Sequence, residues 1–206
     1  MERSPVQGSV SAGIAEPDRR KDTTMNYYIS DTHFGHANVI RLDDRPFSNP
    51  EEMATAIIDG WNARVQEADD VYLLGDVCYR SPYAARYYLS RLKGRKHLVI
   101  GNHDGLLLQD PAAVACFDDI DKMMHVKDHG RQICLCHFPL AEWNGSRHGA
   151  WHIYGHIHNN TGMVYTFMRS QLNCYNAGCM INDYQPVTLP ELVINNDRFD
   201  QHVKNK

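Results

Sequence analysis

Residues 71–104 read VYLLGDVCYRSPYAARYYLSRLKGRKHLVIGNHD, and this stretch decides the predicted fold. Two apolar runs, 71–74 and 97–100, each lead into a glycine that is followed by a polar residue. Between them, Ser81 and the proline after it are typical of a helix start, so we predict a helix from there to about Leu92. A strand, a helix and a strand in this order favour the α/β class.

A similar unit precedes this stretch. The run 27–29 is a predicted strand that continues directly into Asp31, and residues 50–66 carry apolar side chains near a helical period. In α/β sheets, ligand sites lie beyond the carboxyl ends of the strands. Asp31, Asp76 and Asn102 all fall at such ends, which predicts a site there.

The second half of the chain is predicted to be richer in strands. A turn at 128–130 joins the runs 123–126 and 132–136 as a hairpin. We predict further strands at 151–154, 163–168 and 172–176, and a short turn or helix at 190–193.

Length and composition indicate an ordinary globular protein. The 206 residues suit one domain, with 43% hydrophobic and 22% charged residues. The formal net charge of −4 gives no electrostatic argument for broad binding to nucleic acid or membranes, although a local basic patch at a phosphate site stays open. No apolar run approaches the length of a membrane span.

Residues 1–24 differ in composition from the rest of the chain. They are small, polar and charged, and they lack the continuous apolar region of a secretory signal. We therefore predict a disordered or vector-derived extension over 1–24 and a single folded domain over 25–206.

The six cysteines show no CxxC pair, and the chain is too long to need a disulfide framework. Cys134 and Cys136 would share one face of a strand, where a soft-metal site is conceivable but buried thiols are favoured. This usage favours reduced thiols in a cytoplasmic protein.

Five polar clusters follow predicted strands, and the chain has 12 histidines to supply them. Each cluster alone has an ordinary explanation, such as a tight turn or a surface pair. Their order, spacing and placement together carry the prediction. The clusters are Asp31-x-His33, Gly75-Asp76, Gly101-Asn102-His103-Asp104, His137 and Gly155-His156-x-His158.

The donor atoms in these clusters form a coherent set. Carboxylates, one amide oxygen and several imidazoles suit manganese, iron, zinc or nickel rather than calcium or a thiolate-bound metal. One carboxylate can bridge two cations held about 3.5–4 Å apart, a spacing at which both polarise one phosphate. The glycines allow sharp turns and a close approach of the backbone.

This series resembles the calcineurin-like metallophosphoesterase superfamily, and the resemblance runs from about Tyr27 to Pro186. The stretch SDTHFGHANVI at 30–40, with RPF and EEMATAIIDGWN after it, is similar to a small prokaryotic or phage subgroup of predicted phosphoesterases.

The resemblance implies a four-layer α/β/β/α sandwich with a mixed two-sheet core. It also implies that Asp76 bridges two metals. Many members of the superfamily carry another acidic residue after this aspartate, whereas this chain has Val77, so the contacts around the metals and the substrate preference do not follow from the resemblance. The remaining implied ligands are Asp31, His33 and His158 for one metal, and Asn102, His137 and His156 for the other.

The implied reaction is hydrolysis of phosphate mono- or diesters by a metal-bridging hydroxide. In this scheme His103 protonates the leaving alkoxide, and Asp104 orients His103 and raises its pKa. The alternative for His103 is a histidine that only ties the turn together.

The sequence leaves two alternative roles for each of three further residues. His36 either touches the substrate or the metal surroundings, or it faces water. Arg45 and Arg80 follow strand-exit regions and could clamp a phosphate, but ordinary surface arginines are the commoner case.

The expected cofactors are two divalent cations, with Mn²⁺ favoured and iron, zinc or nickel open. The expected partner is a small phosphate ester, such as a nucleotide or a phosphodiester, without a membrane. The alternatives are a nuclease or cyclic-nucleotide phosphodiesterase, with nucleic acid not favoured, and a catalytically inactive scaffold for protein contacts. The sequence does not indicate the oligomeric state.

Overall fold

The computed structural model describes residues 24–205. The predicted extension 1–24 lies outside the described residues apart from its last position. The strands are β1 (Asn26–Ile29), β2 (Asp70–Leu73), β3 (Arg95–Val99), β4 (Asp119–Asp121), β5 (Met123–Asp128), β6 (Arg131–Cys136), β7 (Trp151–Tyr154) and β8 (Cys174–Asn176). The helices are α1 (Ala37–Leu42), α2 (Pro50–Arg64), α3 (Ala85–Leu89), α4 (Pro111–Val114), α5 (Met163–Ser170) and α6 (Leu189–Lys204).

The first sheet has the order β1-β2-β3-β4, and its strands are all parallel. Tyr28 pairs with Tyr72, and Tyr72 pairs with His97, so the three predicted strands are in register. Their carboxyl ends therefore meet at one edge, as the sequence predicts for its polar clusters.

The second sheet has the order β5-β6-β7-β8 and is mixed. The hairpin of β5 and β6 is confirmed, and its turn residues His129 and Gly130 have φ values of 46° and 72°. Positive φ at both central positions is the geometry that suits a two-residue hairpin. The β6-β7 and β7-β8 pairs are parallel, which brings the ends of β6 and β7 together.

Three apolar clusters hold the sheets and helices together. One face of the first sheet packs on α2 and α3, and the other face packs on the second sheet, because strand side chains alternate between the faces. The first cluster includes Ile29, Leu73 and Leu98 with Ile57 and Trp61; the second includes Tyr28, Leu74 and Val99 with Ile133 and Ile153; the third includes Cys134, Tyr154 and Met168. The α/β class and the two sheets are confirmed, whereas the stacking in four layers stays a prediction.

The structure corrects the type or the length of three elements that the sequence predicts. Residues 163–168 form the start of a helix, α5, because their apolar side chains lie at 163, 164, 167 and 168, which is a helical spacing. The predicted short element at 190–193 is a 16-residue helix that starts with a capping box of Thr188 and Glu191. The helix predicted from Ser81 covers only Ala85–Leu89, because the Ser81 hydroxyl closes a turn on the Tyr83 amide.

Within residues 24–205, none of the helices is both long enough and apolar enough to cross a membrane.

His152 on β7 is a fully buried histidine whose two ring nitrogens are satisfied. Its Nδ1 lies 3.1 Å from the carbonyl oxygen of Cys134, and its Nε2 accepts the amide N–H of Leu140 at 3.1 Å. Burial lowers the pKa of His152 from 6.5 to about 4. The neutral ring is therefore part of the packed second sheet.

We expect His152 to make the fold less stable in acid. Its folded pKa is below its unfolded value, so the unfolded chain takes up the proton first, and stability is lost as the pH falls from about 6.5 towards about 4. The loss approaches roughly 3 kcal/mol. Urea unfolding, after removal of metal with a chelator, measures the free energy of unfolding at several pH values. This free energy should change less with pH in His152→Gln than in the wild type, whereas His202→Gln, at an exposed position, should keep the wild-type dependence. Equal slopes for all three proteins would contradict this assignment.

Candidate metal centre

The predicted ligands lie on strand-exit loops with an unusual backbone. Asp31, His33 and Asp76, after β1 and β2, have φ values of 56°, 48° and 55°. His156 and His158, after β7, have φ values of 69° and 53°. A left-handed backbone at a residue other than glycine costs on the order of 1–3 kcal/mol and concentrates at functional sites. Five of the seven predicted ligands carry this cost.

Asp76 lies at the middle of the converging loops. Its Oδ2 is 3.6 Å from His137 Nε2, 3.7 Å from His33 Nε2 and 4.0 Å from His103 Nε2. Its Oδ1 accepts the backbone N–H of His103 at 2.8 Å. Imidazoles from three separate loops therefore face one buried carboxylate.

One group of four side chains surrounds a space that suits a cation. Asp31, His33, Asp76 and His158 each offer a ligand atom, and these atoms all lie within 4.8 Å of one another. His158 Nε2 is 3.2 Å from His33 Nε2 and 3.5 Å from Asp31 Oδ1. Two nitrogens bound to one zinc-sized ion would be about 3.0–3.4 Å apart, given metal–nitrogen bonds of about 2.0–2.1 Å.

A second group of donors lies next to the same carboxylate of Asp76. His137 is fully buried, and its Nδ1–H donates to the carbonyl oxygen of Leu74 at 2.7 Å. That bond leaves a lone pair on Nε2, which faces Asn102 Oδ1 at 3.0 Å and the Asp76 carboxylate. Acceptors that face one another need a cation or a proton between them. The donor chemistry of this group therefore also fits a metal.

His156 connects the two groups. Its backbone N–H donates to Asp31 Oδ2 at 3.0 Å, and its ring centroid is 5.2 Å from that of His137. The side chains of His156 and Asn102 are exposed, whereas Asp31, Asp76 and His137 are buried. The site thus has a buried floor and an open rim.

Two glycines allow the loops to approach this closely. Gly75 has φ of 80°, and a Cβ there would lie 2.6 Å from His137 Nδ1. At Gly155 a Cβ would collide with the side chains of Ser30 and Asp31. Any larger residue would push β7 away from β1.

Asp104 does not contact the ring of His103, and its predicted role as the residue that orients His103 is corrected. Its buried carboxylate accepts backbone N–H groups of Asp76 at 3.0 Å, Val77 at 2.9 Å and Gly101 at 2.8 Å. Buried backbone N–H groups need a hydrogen-bond partner, and this carboxylate supplies one for three of them. Asp104 therefore joins the loops that follow β2 and β3.

His103 lies at the rim of the site. Its side chain is 35% exposed, and its ring packs on that of Tyr79 with a centroid distance of 4.0 Å. The ring also approaches the candidate metal cluster, with Nε2 4.0 Å from Asp76 Oδ2. It can reach both the cluster and a molecule that arrives from solvent.

Asp43 is a site residue that the sequence did not reveal. His158 Nδ1 lies 2.8 Å from both of its carboxylate oxygens, so the N–H donates to Asp43 and leaves the Nε2 lone pair for the cluster. A carboxylate behind a histidine ligand fixes the tautomer and the ring orientation. Asp43 belongs to no motif, because it follows α1 and meets His158 only in the folded chain.

Arg45 holds Asp43 in turn. Its Nη2 donates to Asp43 Oδ2 at 2.7 Å, and its guanidinium also donates to the carbonyl oxygens of Asp31 and Thr32 at 3.0 and 3.1 Å. Arg45 is 4% exposed, so it is neither a surface arginine nor a phosphate clamp. Burial opposes the charge of both residues. The hydrogen bond and charge of His158, followed by those of Arg45, nevertheless hold the pKa of Asp43 below its ordinary value. Cys179 together with Asp43 holds the pKa of Arg45 above its ordinary value.

We expect Asp43→Asn to weaken both the fold and the metal site. The change leaves the buried Arg45 without its anion, which costs on the order of 3–5 kcal/mol, and loosens His158, which lowers metal affinity by about 10–100-fold. Thermal unfolding and titration with Mn²⁺ measure the two effects. Asp44→Asn removes the same charge from the exposed next residue and should change neither. Wild-type metal affinity in a folded Asp43→Asn protein would contradict the role of Asp43.

His36 does not face water, which was one of its two predicted positions. It is 9% exposed, and its ring lies between those of His33 and Tyr79, at centroid distances of 5.6 and 5.0 Å. Arg80 lies over the Tyr79 ring at 5.2 Å. These residues form the wall of the site behind His103.

The cysteines take no part in the candidate cluster. Cys179 is near it, with Sγ 3.3 Å from the carbonyl oxygen of Asp31, but burial raises its thiol pKa to about 11. Cys134 and Cys136 are buried and unpaired, and burial raises the pKa of each. The donor set is therefore one of oxygen and nitrogen atoms, which suits divalent transition metals.

Two solved structures titled as a predicted phosphoesterase from Streptococcus pneumoniae and a 5'-nucleotidase precursor from Thermus thermophilus share 15% and 16% identity with the chain. The alignment with the first structure spans 66% of this chain and 63% of that protein, and the alignment with the second spans 77% of this chain and 41% of that protein. Both TM-scores are 0.35, and a similarity this low supports no argument. No known protein-family model matches the chain.

Closer similarity exists to proteins without an assigned function. The structure of AQ665 of Aquifex aeolicus, a protein of unknown function, aligns with a TM-score of 0.65 and 26% identity over 84% of this chain and 99% of that one. The Gene 66 protein of Mycobacterium phage L5 is 26% identical over 65% of this chain and 77% of its own length. The uncharacterized protein MJ1445 of Methanocaldococcus jannaschii is 35% identical over 169 residues, 81% of this chain and 88% of the relative. The chain belongs to the same family as MJ1445.

Proposed function

We propose that this protein is a metal-dependent phosphoesterase that hydrolyses small phosphate mono- or diesters. The observation that carries the proposal is the position of Asp76, whose buried carboxylate lies within 4 Å of an imidazole from each of the two donor groups. A shared carboxylate between two such groups is the arrangement expected for a pair of divalent cations.

The chain's own residues would hold the two cations as follows. Asp31, His33 and His158 would bind one, Asn102, His137 and His156 would bind the other, and Asp76 would bind both. The fit rests on facing acceptor atoms and on the left-handed backbone of five of these residues. When bound, divalent cations lower the pKa of water and polarise a phosphate.

The remaining chemistry belongs to the rim. His103 is exposed enough to meet the leaving group of a bound ester, and its imidazole would donate a proton from a ring nitrogen to the departing oxygen. Asp104 would act only through the backbone, by holding the loop that carries His103. The amide of Asn102, on the exposed side, would orient the phosphate.

The proposal includes the wider features expected of such an enzyme. The three apolar clusters support a four-layer sandwich, with α2 and α3 outside one sheet and α5 outside the other. The six unpaired thiols support a reducing compartment such as the cytoplasm.

The test is an activity panel on the purified, metal-stripped chain with Mn²⁺ restored. We expect about two cations per chain and manganese-dependent hydrolysis within a set of p-nitrophenyl mono- and diesters, cyclic nucleotides and single-stranded DNA. Mass spectrometry measures the metal content. Less than one cation per chain and no hydrolysis would favour the inactive scaffold, whereas activity confined to DNA would favour the nuclease.

A further inference from the structure

An apolar groove opens directly beside the candidate metal centre. It has a volume of about 460 Å³, and the predicted ligand His156 is one of its lining residues. Its lining includes Phe138 and Pro139, which follow β6, and Met163, Val164 and Tyr165, which begin α5. Sites for small molecules usually have volumes of about 300–1,000 Å³ and mostly apolar walls. We call this feature the Phe138 groove.

The first wall is an aromatic ring fixed against the site. Phe138 follows His137 in the chain, and its ring centroid lies 5.0 Å from that of His137 and 4.6 Å from that of His156. The side chain is nevertheless 44% exposed, so part of the ring is free to contact another molecule. Aromatic rings prefer other rings in offset or edge-on contact.

The second wall of the groove is the first turn of α5. Met163 is 88% exposed and Val164 is 49% exposed, so both side chains are accessible to another molecule. Tyr165 is fixed by its hydroxyl, which donates to Asp200 Oδ1 at 2.6 Å. Thioethers also pack favourably on aromatic rings, so both walls offer contacts that a planar ring satisfies.

We infer that the Phe138 groove binds the organic group of the phosphate ester, and that this group is an aromatic ring, as in an aryl ester or a nucleoside base. The inference rests on the proposed function, because the phosphate would lie at the metal cluster while the ring extends past His156. The substrate class is thereby narrowed from small phosphate esters to esters that carry an aromatic group near phosphorus.

Binding of two simple phosphonates to the manganese-loaded protein tests the inference. Isothermal titration with phenylphosphonate and methylphosphonate should show a preference of about five- to tenfold for the phenyl compound, as expected for one ring contact. Val164→Trp fills the groove from α5 and replaces no predicted ligand, and Phe138→Leu removes the ring but keeps an apolar side chain. Both variants should bring the ratio of the two affinities close to one.

Leu172→Ser is the matched control, because Leu172 is 84% exposed and lies outside the groove. It should keep the wild-type ratio. A third ligand, thymidine 5'-phosphate, separates the two sources of a ring: tighter binding than phenylphosphonate supports a base, and equal binding supports an aryl group.

Failure of this inference is distinct from failure of the proposed function. Equal binding of the two phosphonates by the wild type, or an unchanged affinity ratio in both groove variants, would contradict ring binding in the Phe138 groove even if esters are hydrolysed. Phenyl-selective binding that both variants lose would support the groove even if no ester in the panel is hydrolysed.

Discussion

Asp76→Asn is expected to reduce phosphoesterase activity more than about a thousandfold. A cation at a reacting phosphate supplies several kcal/mol of charge stabilisation, and about 4 kcal/mol corresponds to three powers of ten in rate. Asp76 faces both groups of donors, so its neutral amide would weaken both cations at once. In the proposed arrangement each of the other predicted ligands would bind only one cation.

The same variant should remain folded. The amide oxygen of asparagine can still accept the His103 backbone N–H that Asp76 Oδ1 now accepts at 2.8 Å. Its other atom is the one that faces three imidazoles, and there a charge is lost without a change of shape. We therefore expect the metal-free variant to unfold at a temperature close to that of the metal-free wild type.

Metal content and kinetics with Mn²⁺ measure the effect, and Asp121→Asn is the matched control. Asp121 ends strand β4 of the same sheet but is exposed and outside the cluster. It should leave both quantities unchanged. Two cations per chain and near-normal turnover in Asp76→Asn would overturn the shared-carboxylate arrangement.

The strand-exit residues were predictable from the sequence because parallel strands place their carboxyl ends at one edge. The first sheet brings Asp31, Asp76 and Asn102 together through registered pairing of β1, β2 and β3. The parallel pair of β6 and β7 adds His137 and His156 in the same way. Local patterns predict such residues, since strand ends are visible in the sequence.

Asp43 and Arg45 could not be predicted in the same way. Their partners are His158 and the carbonyl oxygens after β1, so their role depends on where the loop after α1 returns in three dimensions. A charged residue in a predicted loop is ordinarily exposed, and only the burial of Arg45 at 4% exposure reveals otherwise.

The helix α5 was missed because its residue types pointed to a strand. Val164, Tyr165, Thr166 and Phe167 are β-branched or aromatic, which favours strands when local preference decides. In the folded chain Met168 packs into the cluster beside the second sheet, while Tyr165 and Arg169 reach Asp200 on α6. Those contacts at i, i+3 and i+4 require a helix.

His103→Asn is expected to separate the proton-transfer step from metal binding. A positioned general acid contributes about 10²–10⁴-fold, but only when the leaving oxygen needs a proton. A nitrophenolate leaves readily without one, whereas an alkoxide does not. Turnover of an alkyl phosphodiester should therefore fall by about a hundredfold or more, and turnover of a p-nitrophenyl diester should fall far less.

Metal content should stay at the wild-type level in this variant. The contact between residue 103 and Asp76 Oδ1 is made by the backbone N–H, which asparagine keeps. The ring that the substitution removes lies 4.0 Å from Asp76 Oδ2 in the wild type and is not a predicted ligand. His148→Asn replaces an exposed histidine away from the cluster and should leave both substrates unaffected. If His103→Asn instead loses a cation, His103 is a ligand. If both substrates slow equally, it is not the proton donor.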